Sequence, residues 1–254
     1  EEEQSLAWRW YNNRGLVEMQ IEDLRNYGRG LMDSVPDTKG LQRWKEISAA
    51  MQEELRRELG VSGVERLNAE TARHTGMMKA YVWSILKEHG LVNESYIVKI
   101  IERIAMMKAL ADMVGMDKAT EIQCRLLDMS MYDLMKPIFP AAEDYEACGN
   151  YFHAFREYSK ASYAANVRAG LHELEIIEDT PRVLAFNITY CAWHEVSEAF
   201  GDPYLCYPST CYGDDAYIGK SLAGSGCRWK RTGTLATGAP VCDFVFEYDR
   251  GGDS

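Results

Sequence analysis

The sequence predicts an α+β fold, in which an N-terminal block of helices packs on a small antiparallel sheet of about four strands. The first two-thirds of the chain carry apolar residues at helical spacing, whereas after Gly170 the spacing changes to the alternation that is typical of strands. Helices that are separate from an antiparallel sheet characterise the α+β class. The chain has 254 residues, of which 46% are hydrophobic, and this is enough to bury a full core.

Helices are predicted for most of the chain before Gly170. Gly60 and Gly90 end two of them, and Pro137 lies just beyond a third. The clearest helical period belongs to Ile97, Ile100, Ile101, Ile104, Met107 and Leu110. The predicted helical segments are 4–32, 38–59, 64–89, 94–114, 118–135 and 142–168.

The remaining elements are predicted in the order ββααββ. Strands are expected at 171–177 and 183–191, followed by a short helix at 193–200. A second short helix begins at Gly213 or Asp214, where Asp214 is a suitable N-cap, and ends near 222. Two further strands, 228–236 and 241–248, are joined by the segment 237–240, which is short enough for a hairpin.

Composition excludes several classes of protein. The net charge of −11 argues against a partner such as nucleic acid, which is bound by basic surfaces. No apolar run reaches the length of about 18 residues that a membrane span needs, so no membrane partner is expected. The odd number of cysteines, seven, favours reduced thiols and therefore a cytoplasmic protein. P-loop, nucleophile-elbow, HExxH, EF-hand and CxxC patterns do not occur.

A first group of polar residues lies around the strand 183–191. Alternation places Asn187, Thr189 and Cys191 on one face, opposite an apolar face. That polar face either lines a pocket or is exposed to solvent. His194 follows at the start of the short helix, where it is either a pocket residue or an ordinary surface histidine.

A second group combines a thiol with a carboxylate. Cys211 and Asp214 are three residues apart, so they converge if the loop turns into a helix at this point. A helix N-terminus favours the thiolate form of a cysteine, which is the nucleophilic form. The alternative is structural, with Asp214 as an N-cap and Cys211 as a small buried side chain.

A third group lies on the last predicted hairpin. Arg231 either pairs with Asp243 across the hairpin or binds a substrate carboxylate. Cys242 shares a strand face with Phe244, which indicates that its thiol is buried. A zinc site is an alternative use of these groups, with Cys191, Cys211, Cys242 and His194 as ligands, although their spacing lacks the short pairs that are typical of zinc sites.

The last third of the chain resembles the L-2-amino-thiazoline-4-carboxylic acid hydrolase family. The motifs that carry the resemblance are Asn187-Ile-Thr-Tyr-Cys191, Cys211 with Asp214, Arg231-Thr-Gly-Thr-Leu-Ala-Thr-Gly238, and Cys242-Asp243-Phe244. The resemblance extends over about 97–248 and is strongest from Arg182 onward. It implies a hydrolase-like α+β domain at 93–254, preceded by an N-terminal helical region at 1–92.

The resemblance implies a hydrolase that opens a C–N or C–S bond of a small cyclic substrate, amidine-like or amide-like and carrying a carboxylate. We expect a cysteine nucleophile assisted by aspartates, with Cys191, Cys211, Asp214 and Asp243 as catalytic residues. The expected substrate-binding residues are Arg231, Thr234, Asn187, Thr189 and His194, with Arg231 as the carboxylate anchor. No cofactor is expected, with zinc as the alternative.

Two other functions stay open at this point. The same thiols and carboxylates suit a non-catalytic sensory module that binds zinc or a small molecule. They also suit another bond-cleaving enzyme, in which some of the 6 Trp and 15 Tyr select an aromatic substrate. A small molecule is the partner that all these hypotheses share, and a homo-oligomer remains an open alternative to a monomer.

Overall fold

The computed structural model describes residues 38–91, 94–136, 141–142 and 151–249. Four long helices come first: α1 (Thr38–Glu88), α2 (Glu94–Val114), α3 (Met116–Met135) and α4 (Tyr151–Arg168). α1 consists of two helical segments that meet in a kink at Gly60. The backbone there has φ 72° and ψ 169°, which only glycine adopts without strain, so the predicted helix end at this residue is confirmed. The predicted helix at 4–32 lies outside the described residues.

The helical block has a continuous apolar core. The periodic residues of α2 are the centre of it, and Ile97, Ile100 and Ile104 have no solvent exposure. An ion pair between Arg125 Nε and Glu54 Oε1, 2.9 Å apart, adds a polar contact between α3 and α1. None of the helices in the described part of the chain is long and apolar enough to cross a membrane.

Four antiparallel strands form one sheet. They are β1 (His172–Asp179), β2 (Val183–Cys191), β3 (Cys227–Lys230) and β4 (Cys242–Tyr248), in the spatial order β1-β2-β4-β3. Two short helices, α5 (Ala192–Ala199) and α6 (Tyr212–Ser221), lie between β2 and β3. The predicted α+β class and the order ββααββ are therefore confirmed.

The segment after β3 differs from the prediction. β3 ends at Lys230, whereas the sequence predicted a strand to 236. The Asp243 carboxylate accepts hydrogen bonds from the backbone N–H groups of Thr232 and Gly233, which draws this segment out of the ladder. A 3₁₀ turn at Leu235–Thr237 follows. The predicted hairpin loop at 237–240 is therefore wrong, because the connection between the paired strands is longer.

One face of the sheet packs on α4 through aromatic side chains. The rings of Phe186 on β2 and Phe244 on β4 are stacked with centroids 5.1 Å apart. Tyr163 of α4 lies 4.4 Å from Phe186, measured between ring centroids. This packing fixes the apolar face of the sheet against the helices and leaves a cavity where the strands reach Cys191 and Cys242.

Candidate functional site

A cavity of about 170 Å³ lies between the helical block and the end of the sheet. One wall, which we call the reactive wall, carries groups capable of proton transfer, nucleophilic attack or charge pairing: His172, Cys191, Cys211, Asp214, Arg231 and Cys242. A second part of the lining, which we call the helical wall, is formed mainly by large side chains from α2, α3 and α4: Tyr96, Arg103, Leu127, Met131, Met135 and Tyr163. Trp193 and Tyr217 also line the cavity.

A β-bulge directs Cys191 into the cavity. In the ladder between β1 and β2, Glu173 pairs with Tyr190 and Leu174 pairs with Ile188, so Thr189 has no partner. One extra residue reverses the alternation of side chains beyond it. Cys191 therefore lines the cavity together with Ile188, whereas Thr189 is exposed.

The predicted common face of Asn187, Thr189 and Cys191 is thus wrong. Asn187 pairs in register with Asp243 of β4 and lies outside the cavity lining, as does Thr189. The cavity lies on the apolar face of the sheet, opposite to the polar face on which the sequence predicted it. The bulge explains why Cys191 is nevertheless a cavity residue.

His172 is a cavity residue that the sequence analysis missed. It is the first residue of β1 and pairs with Cys191 across the ladder. Side chains directly opposite in an antiparallel pair have Cβ atoms about 4.5–5.5 Å apart. The Nδ1 atom of His172 is buried and has no hydrogen-bond partner among the described residues. Counting residues outward from the Thr180-Pro181 turn would have placed this histidine opposite Cys191.

The surroundings of Cys191 favour its thiolate. Cys191 is the N-cap residue of α5, with extended backbone angles, so it lies at the positive end of the helix dipole, although its side chain makes no capping hydrogen bond. The pKa of the Cys191 thiol is held well below its usual range by the neighbouring Cys206 thiol as hydrogen-bond donor, by His172 and by the backbone N–H of His194, which together outweigh burial. A stabilised thiolate next to a histidine is the arrangement of a cysteine nucleophile.

Cys211 has a different environment, although it lines the same cavity. It ends a π-helical turn, Tyr207–Cys211, that continues directly into α6. The N–H of Tyr212 is already bonded to the carbonyl of Tyr207, so the helix offers Cys211 no free N-terminus. Its Sγ atom lies 3.7 Å from Sγ of Cys206. The expected role of the helix N-terminus therefore applies to Cys191 and not to Cys211.

Asp214 and Arg231 form an ion pair in the reactive wall. Arg231 donates from Nη1 to Asp214 Oδ2 and from Nη2 to Asp215 Oδ2, both at 2.8 Å. The Arg231 side chain is only 5% exposed. Desolvation raises the pKa of Asp214 to about 6, although the charge of Arg231 acts in the opposite direction. The predicted pair of Arg231 with Asp243 is wrong, because the guanidinium is directed to the start of α6.

The predicted convergence of Cys211 and Asp214 is confirmed, since both line the cavity from adjacent helical turns. The alternative in which Asp214 is an N-cap is wrong, because α6 already begins at Tyr212 and Asp214 lies within its first turn. Cys211 is nevertheless buried, as that alternative expected. Its thiol therefore combines a buried position with contact to the cavity.

The sequence of the chain is similar to one family of known proteins. A sequence model of the L-2-amino-thiazoline-4-carboxylic acid hydrolase family matches residues 93–246, which is more than half of the chain. The chain belongs to this family. The family name supports a hydrolase, and the resemblance stated from the motifs is confirmed. No curated protein and no solved structure matches the chain.

Three of the predicted site residues, Asp243, Thr234 and His194, lie away from the cavity lining. Asp243 holds the turn after β3, and although burial raises its pKa, hydrogen bonds from Thr232 and Gly233 lower it overall. Thr234 caps the 3₁₀ turn through its hydroxyl group and is almost fully buried. The His194 ring lies towards Glu198, 4.0 Å away. None of the three lines the cavity.

Cys242 matches its prediction as a buried thiol. It accepts a hydrogen bond from the backbone N–H of Leu235 at 3.2 Å, and burial raises its pKa to about 12.

Among the residues that the structure describes, no three His, Cys, Asp or Glu side chains are arranged as a metal ion would require. His194, one of the four ligands considered for zinc, lies outside the cavity lining. The absence of a cofactor stays a prediction for this member of the L-2-amino-thiazoline-4-carboxylic acid hydrolase family.

Proposed function

We propose that the protein is a hydrolase that opens a C–N or C–S bond in a small ring compound, with Cys191 as nucleophile. One observation carries the proposal: Cys191 is the N-cap of α5, faces His172 across the ladder and lines the cavity. Thiolate stabilisation, an adjacent histidine and a binding space are the three requirements of cysteine nucleophilic catalysis.

The size of the cavity supports a small ring as substrate. Its volume is about 170 Å³, and an apolar cavity of about 150 Å³ in another protein accommodates benzene. A five-membered ring that carries a carboxylate is of this size. Drug-sized ligands occupy pockets of about 300–1,000 Å³, which are larger than this cavity.

The chemistry follows from the groups on the reactive wall. The Cys191 thiolate adds to the amidine-like carbon of the ring, and one ring bond to that carbon breaks as its nitrogen or sulfur takes a proton. His172 is the proton donor for this step and the base that activates water in the next. Water then displaces the thiolate and releases the opened product. The Asp214 carboxylate accepts hydrogen bonds from the amidine N–H groups and so orients the ring.

The test is a ring-opening assay on purified protein. The compounds are 2-amino-thiazoline-4-carboxylic acid and a set of cyclic amidines and lactams that carry a carboxylate. Mass spectrometry follows the gain of one water molecule. We expect wild-type protein to open at least one of them, and Cys191→Ser to lose the activity by at least about 10³-fold, since removal of a nucleophile leaves only binding and electrostatic contributions.

Cys227→Ser is the matched control. Cys227 is 8% exposed, Cys191 is 9% exposed, and both belong to the sheet, but Cys227 lies outside the cavity. Retained activity in Cys191→Ser, or an equal loss in both variants, would contradict the proposal. Elemental analysis of the active protein provides a second check, because a stoichiometric metal would favour water activated by a metal over the thiolate mechanism.

A further inference from the structure

The cavity contains a second arginine, Arg103, whose surroundings differ from those of Arg231. Arg103 lies on α2, is half-buried and lines the cavity. Its guanidinium carbon lies 5.7 Å from the centroid of the Trp193 ring. Within the part of the chain that the structure describes, the Arg103 side chain forms no ion pair and no hydrogen bond. Its hydrogen-bond donors are therefore available to a ligand.

Three hydrogen bonds, in contrast, already hold the guanidinium of Arg231 within the protein. They join it to Asp214, Asp215 and the backbone carbonyl of Cys211, at 2.8, 2.8 and 2.9 Å. A substrate carboxylate would have to break these bonds and join two carboxylates around one cation. Breaking a buried pair leaves an uncompensated charge, which is strongly unfavourable. Arg231 therefore does not suit the role of carboxylate anchor that the sequence assigned to it.

The position of Arg103 relative to Cys191 is set by Trp193. Trp193 follows Cys191 by two residues at the start of α5, and Tyr96 contacts the Trp193 ring edge-on with centroids 6.1 Å apart. The guanidinium over this ring is thus held close to the end of α5 that carries the nucleophile. Contact with an aromatic face leaves the five N–H donors free, and their planar fork matches a carboxylate.

We infer that Arg103 binds the carboxylate of the ring substrate, while Asp214 binds its amidine end. This inference rests on the proposed function and deepens it by naming the residues that bind the two charged ends of its substrate. The two charged groups lie on different walls of one cavity, Arg103 on the helical wall and Asp214 on the reactive wall. Charge complementarity therefore fixes which end of the ring faces Cys191.

The test measures binding in the Cys191→Ser background, where no turnover interferes. Calorimetry compares two probes, 2-amino-thiazoline-4-carboxylic acid and its neutral primary amide. Replacement of Arg103 by Gln should weaken binding of the carboxylate about 10- to 100-fold, as expected for loss of a charged hydrogen bond, and leave the amide unchanged. Arg103→Lys should bind the carboxylate probe more weakly than the protein with Arg103 and more tightly than Arg103→Gln, because lysine keeps the charge but lacks the planar fork of donors.

Arg228→Gln is the matched control, since its side chain is 64% exposed on the edge strand β3 and lies outside the cavity. The midpoint of thermal unfolding of each variant shows that the fold is intact. Equal affinity for the two probes, no binding of either probe, or an equal loss for both in Arg103→Gln would overturn the inference. Failure of the proposed function has a different result: the carboxylate binds with full dependence on Arg103, but wild-type protein does not open the ring.

Discussion

The two walls of the cavity differ in how their charged groups are used. On the reactive wall, Arg231 is buried and bound to two aspartates, and Cys191 is surrounded by donors that favour its thiolate. On the helical wall, Arg103 has only an aromatic ring as its partner among the described residues. The arginine of the reactive wall is thus paired within the protein, whereas the arginine of the helical wall presents a free charge.

The difference indicates a division of roles. Groups held by fixed internal bonds keep their geometry during a reaction, as electrostatic catalysis requires. A free cation in a confined cavity gains most from binding a ligand of opposite charge. Substitutions on the reactive wall should therefore lower kcat, and substitutions on the helical wall should change KM or the choice of substrate.

The largest effect after loss of Cys191 is expected for His172→Gln. This substitution removes the group that we propose as proton donor, which is also one of the groups that lower the pKa of Cys191. We expect kcat to fall about 10²- to 10⁴-fold, the usual contribution of general acid–base catalysis. The pH dependence of Cys191 alkylation by iodoacetamide, followed by peptide mass spectrometry, should move to higher pH.

His194→Gln is the control for that experiment. The His194 side chain lies towards Glu198, and only its backbone N–H acts on Cys191. This backbone group is unchanged by the substitution, so kcat and the alkylation profile should stay as in the wild type. An unchanged alkylation profile in His172→Gln would show that His172 does not influence the Cys191 thiol, and the histidine would then have no part in the mechanism.

A smaller effect, specific to pH, is expected for Asp214. Its pKa is raised to about 6, so the carboxylate that attracts the amidine end is lost as the pH falls through this value. In the wild type, kcat/KM should decrease about tenfold per pH unit below pH 6. Asp214→Asn should lower kcat/KM at neutral pH about 10- to 100-fold and abolish this acid limb. An acid limb that persists in Asp214→Asn would belong to another group.

Much of the fold could be predicted because strong local signals determine it. Gly60 has a positive φ that ends a helix, and the alternation in 183–191 gives the bounds of β2 without error. The prediction failed at residues 231–236, where two threonines favour a strand. Three hydrogen bonds to the Asp243 carboxylate hold the chain in a turn instead. That carboxylate is distant in sequence, so local propensity could not reveal it.

The two walls also differ in how far the sequence reveals them. Reactive residues such as Cys191, Cys211 and Asp214 stand out among their neighbours, and the structure places them around one cavity. Arg103 and Tyr96 follow the ordinary pattern of an amphipathic helix and carry no signal of a binding role. The bulge at Thr189 was equally hidden, because one unpaired residue changes the register without changing the composition.

The smallest effect on kcat/KM should come from substitution of Met131 on α3, because this side chain limits the size of the cavity and takes no part in its chemistry. Met131 is half-buried in the lining and packs so closely on α6 that a Cβ atom at Gly213 would lie 2.8 Å from its Cε. Met131→Ala enlarges the space beside Asp214. We expect kcat/KM for a six-membered ring to rise about tenfold relative to the five-membered ring, since a few methylene groups give discrimination of this order.

Met129→Ala is the matched control on the same helix, because Met129 is 39% exposed and lies outside the lining. Relative kcat/KM values for the two ring sizes, measured in competition, should be unchanged in that variant. If Met131→Ala instead reduced kcat for both rings as strongly as His172→Gln, the helical wall would take part in the chemical step. The division between a catalytic wall and a selecting wall would then be wrong, since a side chain without a titratable group would control the reaction rate by holding Asp214 in place.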